Sequence, residues 1–351
     1  MRLISVASAA AAVITALCFG DTLSANPLPA VGEVPAPNRP HTTPGLFVER
    51  LHPFGQAKSL TAIVRLRGKL GFIKCPTNAL LLDVEYSALK TIQTSMPSVH
   101  GMKDSVKDLF VPLRGLVQLR GQNCLMIDVV DGKNLRAHID SLSPQEKIEQ
   151  LPSIFFQLTM ALRYLHRIGR THGDIKPENS WDKSPKIKLI DFDTSVPVCW
   201  KGGKIGSTSG YEAPEEDLGK PIDHVVRDSW LLGATMFSAL TGNSPKGLDY
   251  KAQVEMGNLQ PDVMVEDRAP SSSSEESDTP TGTPQQKAFM EIMEKLLDGN
   301  PEARPTINSL DDALLKRLLV QKSFFERIQE FGSNMVNAFS SIPQCRPDTL
   351  F

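Results

Sequence analysis

The sequence predicts a bilobal α+β fold, with a small β-rich N-terminal lobe and a larger helical C-terminal lobe. Three observations carry this. Apolar and β-branched runs at residues 61–66 and 70–75 flank Arg67-Gly68-Lys69, which signals a hairpin. After Asp131-Gly132 the period lengthens to that of a helix, with Ile148, Leu151, Ile154, Phe155, Leu158, Leu162 and Leu165 on one stripe. A chain of 351 residues has room for one large two-lobed domain.

In the first lobe, residues 78–96 read as a helix with Leu81, Val84, Leu89 and Ile92 on its apolar face, and residues 109–119 and 123–130 as a second pair of strands. In the second, residues 144–168 are a long helix and residues 227–240 an almost wholly apolar one, expected to be buried on all sides. Residues 287–297 and 307–319 return to helix. A last amphipathic helix carries Phe324, Ile328, Phe331, Met335 and Phe339 on one face, for packing on the domain or for a partner.

The flanks divide the chain further. Met1-Arg2 and the Ala-rich apolar run after it read as a secretory signal over residues 1–25, the alternative being an uncleaved anchor. Residues 26–44 are a Pro-rich linker, 45–130 and 131–319 the two lobes, and 320–351 a helical extension. Within the second lobe, residues 262–286 are rich in Ser, Thr and Pro and are expected to be a disordered insertion, either a phosphorylation target or a plain solvated loop. After the signal no segment is long and apolar enough to span a bilayer.

Charge excludes some partners. Lys plus Arg number 38 against 40 Asp plus Glu, so no net field favours nucleic acid or an anionic membrane. Cysteine spacing excludes a structural zinc site. Removal of the signal leaves Cys75, Cys124, Cys199 and Cys345. Strand alternation turns Cys75 and Cys124 away from the face that holds Lys74 and Ile127, either as a bridge or as buried thiols.

The chemistry concentrates in His172-Gly-Asp-Ile-Lys-Pro-Glu-Asn179. Asp174 is a proton acceptor, Lys176 a phosphate contact and Asn179 a metal ligand on one short turn. Asp191-Phe192-Asp193 follows twelve residues later, and Asp191 adds a second carboxylate that completes a magnesium site with Asn179. Phe72-Ile73-Lys74 ends a strand, Ser207 to Glu215 includes Ala213-Pro214-Glu215, Asp228-Ser-Trp-Leu-Leu-Gly233 lies on the apolar helix, and Asn300 to Pro305 supplies Arg304.

In this order the motifs resemble a eukaryotic-type protein kinase, over roughly residues 45–319. The resemblance implies ATP and Mg2+, with Lys74 on the α and β phosphates and Glu85 as its ion-pair partner, Asp83 being the rival. It places Ile127 at the back of the adenine pocket, the backbone of Asp128 to Val130 along the adenine edge and Asn134 near the ribose. Asp174, Lys176 and Lys74 are the catalytic set; Asn179 and Asp191 hold the metal. Lysine two places after Asp174 is the Ser/Thr pattern, and Thr208 belongs beside Asp174. Arg304 should pair with Glu215, and Asp228 should brace the catalytic loop.

Three departures matter. Gly55 is the only glycine between Gly45 and Gly68, so no Gly-x-Gly-x-x-Gly loop precedes Lys74. Gly173 stands where many kinases carry arginine, which implies independence from activation-loop phosphorylation. Asp193 replaces the last glycine of Asp-Phe-Gly. With the signal, these departures are most similar to the secreted rhoptry and dense-granule kinases of apicomplexan parasites, within them the with-no-Gly-loop group that includes a bradyzoite pseudokinase. That similarity implies a secreted protein of the parasitophorous vacuole or cyst wall, acting on Ser or Thr of secreted proteins there. The alternative is an inactive pseudokinase that serves as an interaction scaffold.

Overall fold

A computed structural model describes residues 41–52, 59–95, 108–183, 186–245 and 283–319, all within one unit that runs from Pro40 to Phe351. The expected signal, most of the linker, most of the Ser-rich insertion, the last amphipathic helix and Cys345 lie outside these residues.

The small lobe is a five-stranded antiparallel sheet, β1 (Leu46–His52), β2 (Ser59–Leu66), β3 (Lys69–Pro76), β4 (Leu113–Leu119) and β5 (Gln122–Ile127), in the order β1-β2-β3-β5-β4. The β2–β3 turn has positive φ at both Arg67 (50°) and Gly68 (82°). Two such residues let a tight turn follow the right-handed twist of its strands. One face of the sheet buries Ala62, Val64, Ile73, Cys75, Val117, Cys124 and Met126 with Leu46. The other turns Leu125, Ile127 and Phe72 toward α1 (Ala79–Ser95), whose Leu82, Ala88, Leu89 and Ile92 join the main core.

Strand β1 was not legible as a separate element. Of its apolar residues only Leu46 is buried, while Phe47, Val48 and Leu51 are exposed, so no buried alternation marks it. Pairing with β2 holds it, with a register shift between Val48 and Arg50. The linker also ends earlier than residue 44. Thr43 N donates to Gln118 O at 2.9 Å, Gln118 N to Thr43 Oγ1 at 2.7 Å and Gly121 N to His41 O at 2.7 Å, which fastens residues 41–43 to the β4–β5 hairpin.

In the large lobe β6 (Lys133–Asn134) leads into α2 (Leu135–Ile139) and α3 (Pro144–Arg167). Ser143 and Glu146 close a capping box on α3, which is buried over most of its length. β7 (Ser180–Lys183) and β8 (Lys186–Leu189) complete a small sheet with β6, and β9 (Lys201–Gly202) pairs with β10 (Ile222–Asp223). Asp223 caps α4 (His224–Thr241), and the capping box of Thr283 and Gln286 starts α5 (Pro284–Leu296), so helix begins inside the expected 262–286 insertion. Burial of α4 is as its composition requires, with every residue from Arg227 to Ala239 inside.

The single helix expected over residues 307–319 is instead a 3-10 turn (Ile307–Ser309) and α6 (Asp312–Lys316). Each has its own cap: Thr306 Oγ1 accepts from Ser309 N and Asp311 Oδ1 from Ala313 N, with Leu310 extended between the two elements.

Candidate active site

Asp228, wholly buried in the second turn of α4, accepts from His172 N, Gly173 N and His166 Nε2, each at 2.8 Å. Burial pushes its carboxyl up, but the His166 hydrogen bond and the His172 N–H outweigh that and hold it below the usual carboxylate range. The loop that carries Asp174 is thus fixed by its backbone. Its side chains are fixed by one another.

Lys176 Nζ donates to Asp174 Oδ2 at 2.7 Å and to Thr208 Oγ1 at 2.6 Å, while Thr208 Oγ1 donates to Asp174 Oδ1 at 2.7 Å. Asn179, on a 3-10 turn (Pro177–Asn179), donates from Nδ2 to Asp174 O at 2.9 Å and Oδ2 at 3.0 Å. Both carboxylate oxygens of Asp174 are therefore aimed, and a hydroxyl already reaches one of them. An open cavity of about 580 Å³ adjoins this group, lined in part by Arg136, Lys176, Glu178, Thr208 and Tyr211.

Across the cleft, β3 presents Lys74 to three carboxylates. Its Nζ lies 2.9 Å from Glu85 Oε2, 2.5 Å from Asp191 Oδ1 and 3.3 Å from Asp193 Oδ2. Asp83 is exposed, so Glu85 is the helix partner. Glu85 Oε1 also accepts from Phe192 N at 3.3 Å, and the buried Phe192 ring packs 4.9 Å from His172. Asp191 takes φ 68°, a left-handed conformation that Asp adopts more readily than most residues.

One ammonium among three carboxylates leaves the cluster short of positive charge. Burial lowers the Lys74 pKa, but Glu85, Asp191 and Asp193 more than reverse this and keep the ammonium protonated. Asp191 stays below its usual value because Lys74 outweighs burial. Glu85 carries part of the excess: burial pushes it up to about 7 against the pull of Lys74. Burial and the Asp191 charge push Asp193 up as well.

The remaining expected residues have defined contacts of their own. Ile127 pairs in register with Phe72, two residues from Lys74 on the same face. Asp128 N donates to Pro112 O at 3.0 Å, and its carboxylate pairs with Arg114. Val130 is half-buried against the main core. Asn134 Oδ1 accepts from Ala137 N at 2.8 Å, so this oxygen caps α2. Arg304 pairs with Glu215 through two bonds, 2.7 and 3.0 Å, as its motif requires.

Asp191 and Asn179 offer hard oxygen atoms of the kind Mg2+ takes, and a set of two suits an ion that keeps waters and binds substrate phosphates. When bound, that ion neutralises charge on the phosphates. Three contacts were not legible in the sequence: Asp193 on Lys74, His166 on Asp228, and Arg227 on Glu216, whose Nε lies 2.8 Å from Oε1. The only signal was an arginine placed directly before Asp228 in an apolar helix.

The sequence profile of the protein kinase domain matches residues 83–314. The chain belongs to the protein kinase family. Among known kinases, it is 30% identical to mouse sperm motility kinase 2B over 138 residues, which are 38% of this chain and 28% of that one. It is 26% identical over 249 residues to a probable serine/threonine-protein kinase of Dictyostelium discoideum, covering 70% and 46%. Serine/threonine-protein kinase CHK1 of Mycosarcoma maydis is 36% identical over 115 residues, covering 30% and 17%. The chain thus spans less than half the length of these relatives. The small sheet and helical region described above are the two lobes of this kinase fold.

Proposed function

We propose that the chain is a secreted Ser/Thr protein kinase that transfers the γ-phosphate of ATP to protein hydroxyls. The observation that carries the reading is the fixed group of Asp174, Lys176, Thr208 and Asn179 opposite Lys74, Glu85 and Asp191. The acceptor hydroxyl oxygen bonds to the γ-phosphorus as the bond to the β-phosphate oxygen breaks, ADP leaves, and the hydroxyl proton passes to Asp174. Lys176 steadies the transferred phosphoryl group. Lys74, held by Glu85, serves the α and β phosphates, and Mg2+ belongs on Asn179 and Asp191. The adenine edge pairs with the carbonyl of Asp128 and the backbone of Val130, and Asn134 lies near the ribose. The acceptor segment of the protein substrate uses the cavity beside Thr208.

Secretion is supported by the apolar run after Arg2 and by the bridge between Cys75 and Cys124, since such bridges persist in oxidising compartments. His172-Gly173-Asp174, Asp193 and the lack of a Gly-x-Gly-x-x-Gly sequence ahead of Lys74 support membership in the with-no-Gly-loop group of apicomplexan rhoptry and dense-granule kinases. Proteins of the parasitophorous vacuole or cyst wall are then the substrates and partners. The lobes join near residue 130, between a signal and linker on one side and a helical extension on the other.

A second reading, a pseudokinase scaffold, is favoured by Asp191 itself, whose Oδ1 is engaged by Lys74 at 2.5 Å. Labelled γ-phosphate transfer by the purified protein separates the two, beside Asp174→Ala and Asp191→Ala. The kinase reading expects transfer that both substitutions abolish. Equal signal from all three, with no Mg-ATP effect on melting temperature, overturns the kinase reading.

A further inference from the structure

Arg227 heads the wholly buried side chains among the described residues in size, and its donors all point at one junction. Nη1 donates to Gly173 O at 2.6 Å, and Nη2 to Gly206 O at 3.0 Å. Nε and Nη2 also grip Glu216, at 2.8 Å to Oε1 and 3.3 Å to Oε2. Glu216, its side chain fully buried, accepts in turn from Ala213 N at 2.9 Å, and Lys204 Nζ lies 3.5 Å from it. One guanidinium therefore ties the loop residue before Asp174 to Gly206 and, through Glu216, to Lys204 and the turn after Ala213. Burial of such a charge is tolerable because a two-pronged carboxylate meets it.

The opposite side of the loop is closed. Gly173 takes φ 85°, and a Cβ there would come within 2.4 Å of Thr194 O. Thr194 Oγ1 meanwhile donates to His172 O at 3.0 Å. Position 173 has no room for a side chain that reaches out to the segment, so the tie comes from beneath, through Arg227. Two residues beyond Gly206, Thr208 stands against both Asp174 and Lys176.

We infer that Arg227, held by Glu216, is a positioning residue that fastens residues 204–208 to the catalytic loop with no phosphate on that segment, so that Thr208 meets Asp174 in the unmodified chain. The fastening stands on geometry alone; its effect on turnover rests on the kinase reading. The full chain, freed of phosphate by phosphatase and checked by intact mass, is compared with its untreated form, with Arg227→Lys and with Arg227→Met/Glu216→Gln, which removes the pair together and strands neither charge. Hydrogen exchange at residues 203–209, melting temperature, and kcat and KM for ATP are measured. In the double variant, exchange there is expected to quicken by about tenfold or more. Its kcat should fall by about tenfold or more while KM for ATP holds, and Arg227→Lys should recover part of both. Phosphatase should change neither quantity in the parent protein. The inference is overturned if phosphatase alone loosens residues 203–209, or if a folded double variant protects them as the parent does. A double variant that does not fold leaves the decision to the phosphatase and Arg227→Lys comparisons. If the parent transfers no phosphate, the kinase reading fails while the exchange comparison still decides the role of Arg227.

Discussion

Lys74 Nζ lies 2.5 Å from Asp191 Oδ1 and 3.3 Å from Asp193 Oδ2, so one cation is shared by the first and last residues of the Asp-Phe-Asp sequence. In a kinase the same ammonium must serve phosphates. Asp193→Asn removes one competitor and one negative charge from the cleft. ATP without Mg2+ should then bind more tightly, by about tenfold, the scale of one partly screened charge nearby. Titration calorimetry with and without Mg2+ checks this; unchanged affinity in both would show that Asp193 does not restrain Lys74.

Glu85 gives a pH dependence with a definite sign. Its pKa rises on folding from the ordinary 4.5 to about 7, so the folded state holds the proton between those values while the unfolded state has lost it. Its contribution to stability is therefore full below about pH 4.5 and declines as pH rises toward about 7. Denaturant titrations of the parent and of Glu85→Gln from pH 5 to 8 should show this decline in the parent only, after other titrating groups cancel in the difference.

Cys75 and Cys124, both buried, are bridged between neighbouring strands 49 positions apart in sequence. Alkylation without reduction should label Cys199 and spare both of them. Replacing both by serine should lower stability by about 2–4 kcal/mol, the usual range for losing a bridge. Intact mass and urea unfolding measure the two outcomes.

Arg304 and Glu215 form a buried pair, with the guanidinium 5.0 Å above the Trp230 ring. Arg304→Leu strands a buried carboxylate and should cost about 3–5 kcal/mol. The exposed pair of Arg65 and Glu49 is the control; its loss should cost about 0–1 kcal/mol. Equal effects in thermal unfolding would mean that Glu215 finds another partner.

What the sequence made legible was whatever obeyed a period or a motif. Helix α3 could be read from its stripe and the β2–β3 turn from Arg67-Gly68. Lys74, Glu85 and Asp191 could be placed in one cluster from motif order, although they are scattered along the chain. Strand β1 hid because an edge strand with Phe47 and Leu51 exposed has no buried alternation to show. The break at Leu310 hid because a single cap, Asp311, sits within an otherwise helical run. Arg227 and Asp193 hid because their partners are distant in sequence and their residue types alone say only that a charge is present.

The bridge of Cys75 to Cys124 also bears on motion. It makes one covalent frame of the strand that carries Lys74 and the strand that ends at Ile127. Sliding between those strands is blocked, so Lys74 and Ile127 travel together. Any opening of the cleft is then a rigid swing of the sheet, with the pivot displaced to the short stretch from Asp128 to Asn134.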